Sequence, residues 1–239
     1  MERLQKVIAN SGYTSRRKAE ELIINGKVKV NGEIVTELGT KVKENDEISI
    51  NGEILSKEEK VYYLLNKPRE VITSSKDEHN RKTVVDLIKE NKRIYPVGRL
   101  DYDTTGIILL TNDGELANLL MHPKNEIEKV YIAKIDGILA PNELMALKNG
   151  VVIDGVKTRR ARVKTRKIDK ETNTSIVELT IHEGRNHQVK KMFEKVNHEV
   201  LKLKRERIAF LDLTGLKSGE YRKLSHKEVS VLYSMINNK

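Results

Sequence analysis

The chain of 239 residues carries 45 Lys and Arg against 35 Asp and Glu, a formal net charge of +10, with 38% hydrophobic and 33% charged residues. Such a composition belongs to a folded chain, one large domain or a small module ahead of a larger one, and not to a disordered polyelectrolyte. Cysteine is absent, which excludes disulfides, thiolate catalysis and Cys-ligated metal, while no run approaches the roughly 20 apolar residues of a membrane span and none near Met1 reads as a signal peptide, so a cytoplasmic protein is expected.

In chain order, Leu4, Val7 and Ile8 mark one apolar helical face that stops at Ser11-Gly12. Thr14 and Ser15 are N-cap candidates for a second helix with Ala19, Leu22 and Ile23 facing inward and Gly26 as its stop. Val28–Val30 alternates into Asn31-Gly32, a hairpin signal, and Ile34-Val35 returns; Asp46–Ile50 alternates again before Asn51-Gly52. The polar run Ser56–Lys60 reads as a linker, placed at about 55–60.

Beyond it the pattern is mixed. Val61–Leu65 reads as a buried strand ended by Asn66-Lys67-Pro68, Thr83–Lys89 as a short helix, and Ile107–Leu110 as a second apolar strand. Asn112 is a cap candidate with Glu115 three residues on, before Leu116, Leu119 and Leu120. Val130–Ile135 alternates as a strand. Further strands are expected at 151–153, 161–166, 175–181 and 200–211, and helices at 141–149, 187–196 and 226–236. Strands dominate without strict βαβ alternation, so an α+β fold is expected.

Charge is unevenly spread. Residues 1–60 hold 11 basic and 11 acidic side chains, so the whole excess lies in 61–239. Arg16, Arg17 and Lys18 crowd the start of the second helix, where free N–H groups and the helix dipole already disfavour cations; a phosphate would relieve this, although a solvated basic face is the plainer reading. Residues 157–167 hold seven basic residues in eleven, and a period of two puts Arg160, Arg162, Lys164 and Arg166 on one strand face. A row of like charges calls for an anion above it, or protects an exposed edge. With eight basic residues in 185–207, these segments suggest a track for a nucleic-acid backbone.

The loop Pro96–Gly106 stands apart, dense in Gly, Thr and carboxylate. Asp101 and Asp103 are open to three readings: a metal pair, turn chemistry, or a catalytic carboxylate. The six histidines show no HxxxH or HExxH spacing, and GxGxxG, Walker and GxSxG patterns are absent, which leaves nucleotide hydrolysis, nicotinamide, zinc-hydrolase and serine-esterase chemistry without support.

Three motifs and the N-terminal segment carry a resemblance. Residues 3–50, around RLQKVIANSGYTSRRKAEELIINGKVKVNG, resemble an S4 RNA-binding domain. NKP at 66–68, GRLDYDTTGIILLTNDGELANLLMHP at 98–123, and EGRNHQVKKMF at 183–193 followed by LKLKRERI resemble the RsuA/RluB family of bacterial ribosomal-RNA pseudouridine synthases. The resemblance implies a small α/β S4 module at 1–60 and, at 61–239, a pseudouridine synthase domain on a mixed, mainly antiparallel sheet. It implies Asp101 as the essential aspartate, Tyr131 as the tyrosine that stacks on the target base, and Lys190 as the basic residue paired with the aspartate. Arg99 corresponds to the arginine that helps fill the gap left by a flipped nucleotide. Arg16, Arg17, Lys18, Arg160, Arg162, Arg185 and Arg205 complete the expected RNA contacts.

The implied reaction breaks N1–C1′, turns the base and forms C5–C1′ with no redox change. Neither a metal nor an organic cofactor is expected. A carboxylate serves either as nucleophile at C1′ or as base at C2′. Lacking Trp, the chain leaves stacking to tyrosine. Three positions depart from the family pattern: Glu70 and Ala209 stand where glycine is expected, and His187 where arginine is typical. The GRN form at 184–186 resembles the large-subunit enzymes, so the expected substrate is a uridine of 23S rRNA. The alternatives are 16S rRNA, or a non-catalytic S4-type RNA-binding or ribosome-assembly protein. The enzyme is expected to be an intramolecular-transferase-type isomerase acting as a monomer on rRNA, with no membrane partner.

Overall fold

The computed structural model describes residues 1–237; the last two residues of the segment 61–239 lie outside them. The chain divides into two compact units, one holding Met1–Val61 with Glu90–Ile94 and Asn112–Gly114, the other the remainder.

In the first unit β1 (Glu2–Arg3) leads into α1 (Leu4–Asn10) and α2 (Arg16–Ile24), followed by β2 (Val28–Val30), β3 (Glu33–Ile34), β4 (Lys41–Val42), β5 (Ile48–Ile50) and β6 (Glu53–Ile54). Ser15 caps α2, its hydroxyl accepting from the Lys18 N–H at 3.3 Å. Leu4 and Ile8 from α1 and Ala19 and Ile23 from α2, each pair four residues apart, meet Val28, Ile48 and Ile50 in one buried cluster. Asn31-Gly32 and Asn51-Gly52 both take positive φ, so each makes the tight turn of a hairpin in the four-stranded sheet β3-β2-β5-β6.

The second unit contains β7 (Tyr62–Lys67), β8 (Tyr95–Val97), β9 (Thr105–Thr111), α3 (Gly114–Met121), β10 (Lys129–Asp136), α4 (Pro141–Asn149), β11 (Val152–Ile153), β12 (Val156–Lys157), β13 (Arg162–Asp169), β14 (Thr174–Ile181), α5 (Gln188–Glu194), β15 (Val200–Ile208), β16 (Leu211–Asp212), β17 (Tyr221–Lys223) and α6 (His226–Asn237). Its sheet runs β13-β14-β10-β15-β9-β7-β17, with β16 on β15 and β8 on β9. Every pairing is antiparallel except β15 with β9. The fold is thus α+β with a mixed, mainly antiparallel sheet, as the sequence implied. Leu64, Ile107, Leu109 and Ile208 from one sheet face pack with Leu116 and Leu120 of α3 and Leu232 of α6.

At the parallel joint Gly106 faces Arg205 with φ +109°, and a Cβ there would lie 2.1 Å from the Arg205 carbonyl oxygen. Only glycine permits this approach, which fixes where the loop 98–104 enters the sheet.

Four local expectations are corrected. Thr83–Lys89 is not a helix but a single 3₁₀ turn, Val85–Leu87: the Asp86 carboxylate bonds back to the N–H and hydroxyl of Thr83 at 2.7 and 2.9 Å as at a helix start, but Ile88 is already extended and the turn goes no further. Asn112 is not the α3 cap: its Oδ1 accepts from the Val61 N–H and its amide donates to the Glu58 carboxylate and the Glu59 carbonyl. The expected strand 200–211 breaks at Ala209, whose φ of 51° turns the chain into β16. β17, absent from the sequence reading, pairs with β7 to end the sheet. Glu70 and Ala209, the positions where glycine was expected, both hold left-handed backbone, with φ of 61° and 51°. Each turn is kept by a backbone bond, from Glu70 N–H to the Tyr102 carbonyl and from Ala209 N–H to the Glu128 carbonyl.

Candidate active site

The loop between β8 and β9 is built on two buried side chains. Thr73 brackets Leu100, its hydroxyl donating to the Leu100 carbonyl at 2.7 Å and accepting from the Leu100 N–H at 3.2 Å. Lys67, the last residue of β7, is 0% exposed, and its ammonium donates to the carbonyls of Pro68, Asp101, Tyr102 and Thr104 at 2.9–3.4 Å. Burial pulls its pKa down to about 8, against the pull of the Asp103 and Asp101 carboxylates. The loop's backbone is wrapped around a cation. The side chain of Asp101 projects clear of that wrapping, 28% exposed.

Asp101 faces two basic groups: Nε2 of His187 lies 3.4 Å from Oδ1 and Nζ of Lys190 lies 3.5 Å from Oδ2. The ammonium of Lys190, carried on α5, makes shorter bonds to both Asp103 oxygens, at 2.8 and 2.9 Å. The expected Asp101–Lys190 pair is therefore a shared one, with Asp103 the nearer partner. Lys190's hydrogen bond holds the Asp103 carboxyl below the usual range, and Arg69 adds to the effect. His187 sits at φ 52° as the residue before α5. Behind it Gln188 donates to Glu183 and accepts from the Arg185 N–H, which fixes the approach of α5.

Asp101 and His187, but not Lys190 or Asp103, border a cavity of about 760 Å³ whose wall also includes Arg99, Lys129, Tyr131 and Arg205. Tyr131 is 8% exposed, and Nη1 of Arg205 donates to its hydroxyl at 3.4 Å. Of the residues expected in catalysis, Asp101, Tyr131 and Lys190 also border a smaller space of about 60 Å³ beside the Asp101 carboxylate. Among the described residues no group of three or more His, Asp or Glu side chains could hold a metal ion.

The expected RNA contacts fall into different places. Arg99 is exposed at the cavity wall. Arg16, Arg17 and Lys18 stand exposed on the first turn of α2, with no acidic side chain in that turn. Arg160 is exposed just before β13. Arg162 on that edge strand is paired with Glu128, and its strand neighbour Arg166 with Glu178, so carboxylates of the sheet itself answer part of the charge row. Arg185 spends its fork on the carbonyls of Val156 and Lys157 and on Glu183. Arg205 departs furthest from expectation: it is 3% exposed and belongs to the cavity's floor, because its strand lies at the centre of the sheet. The sequence reading missed Lys67 and Lys129 and named Asp103 only beside Asp101, not as a partner of Lys190; period-two alternation from Tyr131 back to Lys129 was a signal for one of them.

The fold and this cavity define an RNA-modifying enzyme class, and the comparisons identify it. Residues 61–195 match the RNA pseudouridylate synthase family and residues 2–48 the S4 domain. The chain belongs to the RNA pseudouridylate synthase family, and with it to the isomerases. It is 56% identical over its whole length to ribosomal large subunit pseudouridine synthase B of Bacillus subtilis (strain 168), covering 98% of that protein. It is 36% identical to the dual-specificity RNA pseudouridine synthase RluF of Escherichia coli (strain K12), over 99% of this chain and 80% of that one. A crystal structure of a pseudouridylate synthase superposes with a TM-score of 0.69 at 34% identity, covering 97% of this chain and all of that one. Among the described residues no helix is long and apolar enough to cross a membrane.

Proposed function

We propose that this protein converts one uridine of large-subunit (23S) ribosomal RNA to pseudouridine, with Asp101 carrying the reaction. The observation that carries the reading is the placement of Asp101: a carboxylate on a loop tied to a buried ammonium, at the wall of a cavity that also holds Tyr131. The 56% identity to a large-subunit enzyme supports the substrate. Residues 1–60 serve as the S4 module and 61–239 as the catalytic domain, working as a cytoplasmic monomer on rRNA.

The chemistry follows from the groups present. C1′ and C5 of a paired uridine are out of reach, so the nucleotide is flipped at a cost of a few kcal/mol. Stacking on Tyr131 recovers about 1–3 kcal/mol, and Arg99 at the cavity wall takes up space the base has left. Asp101 then attacks C1′ or removes the C2′ proton. Lys190 keeps a positive charge near that carboxylate, and the second carboxylate, Asp103, holds Lys190 in place. The base turns, C5 bonds to C1′, and the C5 proton is lost to restore the aromatic ring.

Pseudouridine mapping of rRNA by carbodiimide-stopped primer extension tests this in cells with and without the gene. Loss of one large-subunit site, restored by the wild type and not by Asp101→Asn, is the expected result. An Asp101→Asn protein that restores the site removes Asp101 from the reaction, and an unchanged map removes rRNA as the substrate.

A further inference from the structure

Two cations in the cavity wall have no counter-ion. Lys129 opens β10 and Tyr131 follows two residues on, so both side chains fall on the same face of the sheet. Arg205 reaches that face through a bulge. Val130 pairs with Arg207, and an unbroken antiparallel ladder would then set Arg205 opposite Ile132, turned to the other face. The register instead skips Glu206 and places Arg205 opposite Tyr131. Its Nε donates to the Ile107 carbonyl at 2.9 Å and its Nη1 to Tyr131, while buried Nη2 has no partner. The ammonium of Lys129 has one partner, the Ile127 carbonyl at 3.1 Å. Burial, and after it the neighbouring Arg205 charge, bring its pKa down to about 8 against the opposing pull of Glu183. Among the described residues no carboxylate forms an ion pair with either group.

Leaving a buried guanidinium and a half-buried ammonium without counter-ions is costly, and is retained where negative charge develops only during a reaction. Pseudouridylation creates such a charge. When N1–C1′ breaks, the bonding pair stays with the ring, and the uracil anion spreads it over N1, O2 and O4. This holds whether Asp101 becomes an ester at C1′ or takes the C2′ proton. We infer that Lys129 and Arg205 are catalytic residues that hold the O2 and O4 oxygens of the detached uracil anion beside Tyr131. The geometry of the ring suits a fixed pair of cations. A half-turn about the C6–N3 axis brings C5 to the place of N1 and exchanges O2 with O4. The same two groups therefore hold the base before and after its rotation, and keep it from leaving between the two bonds. C5 then bonds to C1′, either displacing the Asp101 carboxylate from its ester or adding at C1′ of the sugar alkene as the C2′ proton returns, and in both cases the ring loses its C5 proton and gains one at N1.

The inference rests on the isomerase reading, and the test separates the two. The full-length protein is assayed in single turnover on an rRNA fragment carrying either uridine or 5-fluorouridine at the target, and conversion is followed as loss of the starting N-linked nucleoside by mass spectrometry, since the fluorinated ring has no C5 proton to shed and stops once C5 is joined to C1′. Fluorine at C5 stabilises the ring anion by itself and reduces the need for an external cation. Lys129→Gln is expected to slow conversion of the target uridine about 100-fold and that of 5-fluorouridine only about 10-fold. RNA affinity stays within a few-fold, and Lys129→Arg restores most of the rate. Arg205→Gln should show the same bias. Because Arg205 also ties two strands together, Lys129→Met is the deciding variant if it fails to fold. An equal loss on both RNAs, or a loss confined to affinity, overturns the cation role while leaving the isomerase intact. A wild-type protein that converts neither RNA overturns both.

Discussion

Lys67 is the residue on which the position of Asp101 depends. Its ammonium is the donor for four carbonyls, three of them in the loop that carries Asp101, and among the described residues no other side-chain donor reaches those three. Lys67→Met keeps the volume and removes the donors, leaving the Asp101 and Tyr102 carbonyls one backbone bond each and stranding that of Thr104 at about 1–3 kcal/mol unless water reaches it. Turnover should fall about 100-fold with RNA affinity almost unchanged, since misplacement by an ångström is enough to cost that much. Hydrogen exchange across residues 99–104 should rise in parallel. Full turnover by this variant would show that the loop holds its shape without the cation. Asp101, Tyr131 and Lys190 could be singled out because GRLD, KVY and HQVK are local strings. What Lys67 does was not legible, because its partners are backbone atoms 34 to 37 residues away.

Elements, rather than residues, explain why Arg205 was misread. A run of alternating cations in LKLKRERI looks like a surface strand, yet β15 is the strand that joins the antiparallel half of the sheet to β9. Centrality and a one-residue bulge turn Arg205 inward, and neither is visible in a single segment. The strand's entry is held by a second device. His198 donates from Nδ1 to the Asp136 carbonyl (2.6 Å) and sets Nε2 against the Glu143 carboxylate (3.0 Å), linking the end of β10, the start of α4 and the turn into β15. Burial acts to lower the pKa of His198, but the Asp136 carbonyl and the Glu143 carboxylate outweigh it and raise the value above the ordinary one. A folded-state pKa above the unfolded one means the contribution is full below the unfolded pKa, about 6.5, and fades as pH rises through the folded pKa. The wild type's stability margin over His198→Gln in urea should thus be larger at about pH 5.5 than at about pH 8.5. A margin independent of pH would mean that the imidazole is neutral throughout.

At the scale of the whole molecule the question is where binding affinity arises, given a net charge of +10. Counting cations overstates the catalytic domain's share, since Arg162 and Arg166 are matched by Glu128 and Glu178, and Arg185 and Arg205 are engaged within the protein. Residues 1–60 are neutral overall, yet Arg16, Arg17 and Lys18 of the S4 domain form no ion pair among the described residues and stand together on the exposed first turn of α2. An unpaired cation releases counter-ions when it meets phosphate; a paired one must first give up its carboxylate. Arg16→Ala with Arg17→Ala should therefore weaken rRNA binding and lower the slope of log K against log salt by about 1.5 to 2. The pair Arg162→Ala and Arg166→Ala, the same formal charge change on the edge strand, should lower it by less than about 1. Filter binding of the full chain from about 50 to 200 mM salt resolves the difference. Equal slopes for the two double variants would mean that the edge-strand ion pairs open onto RNA, and that net charge alone governs the encounter.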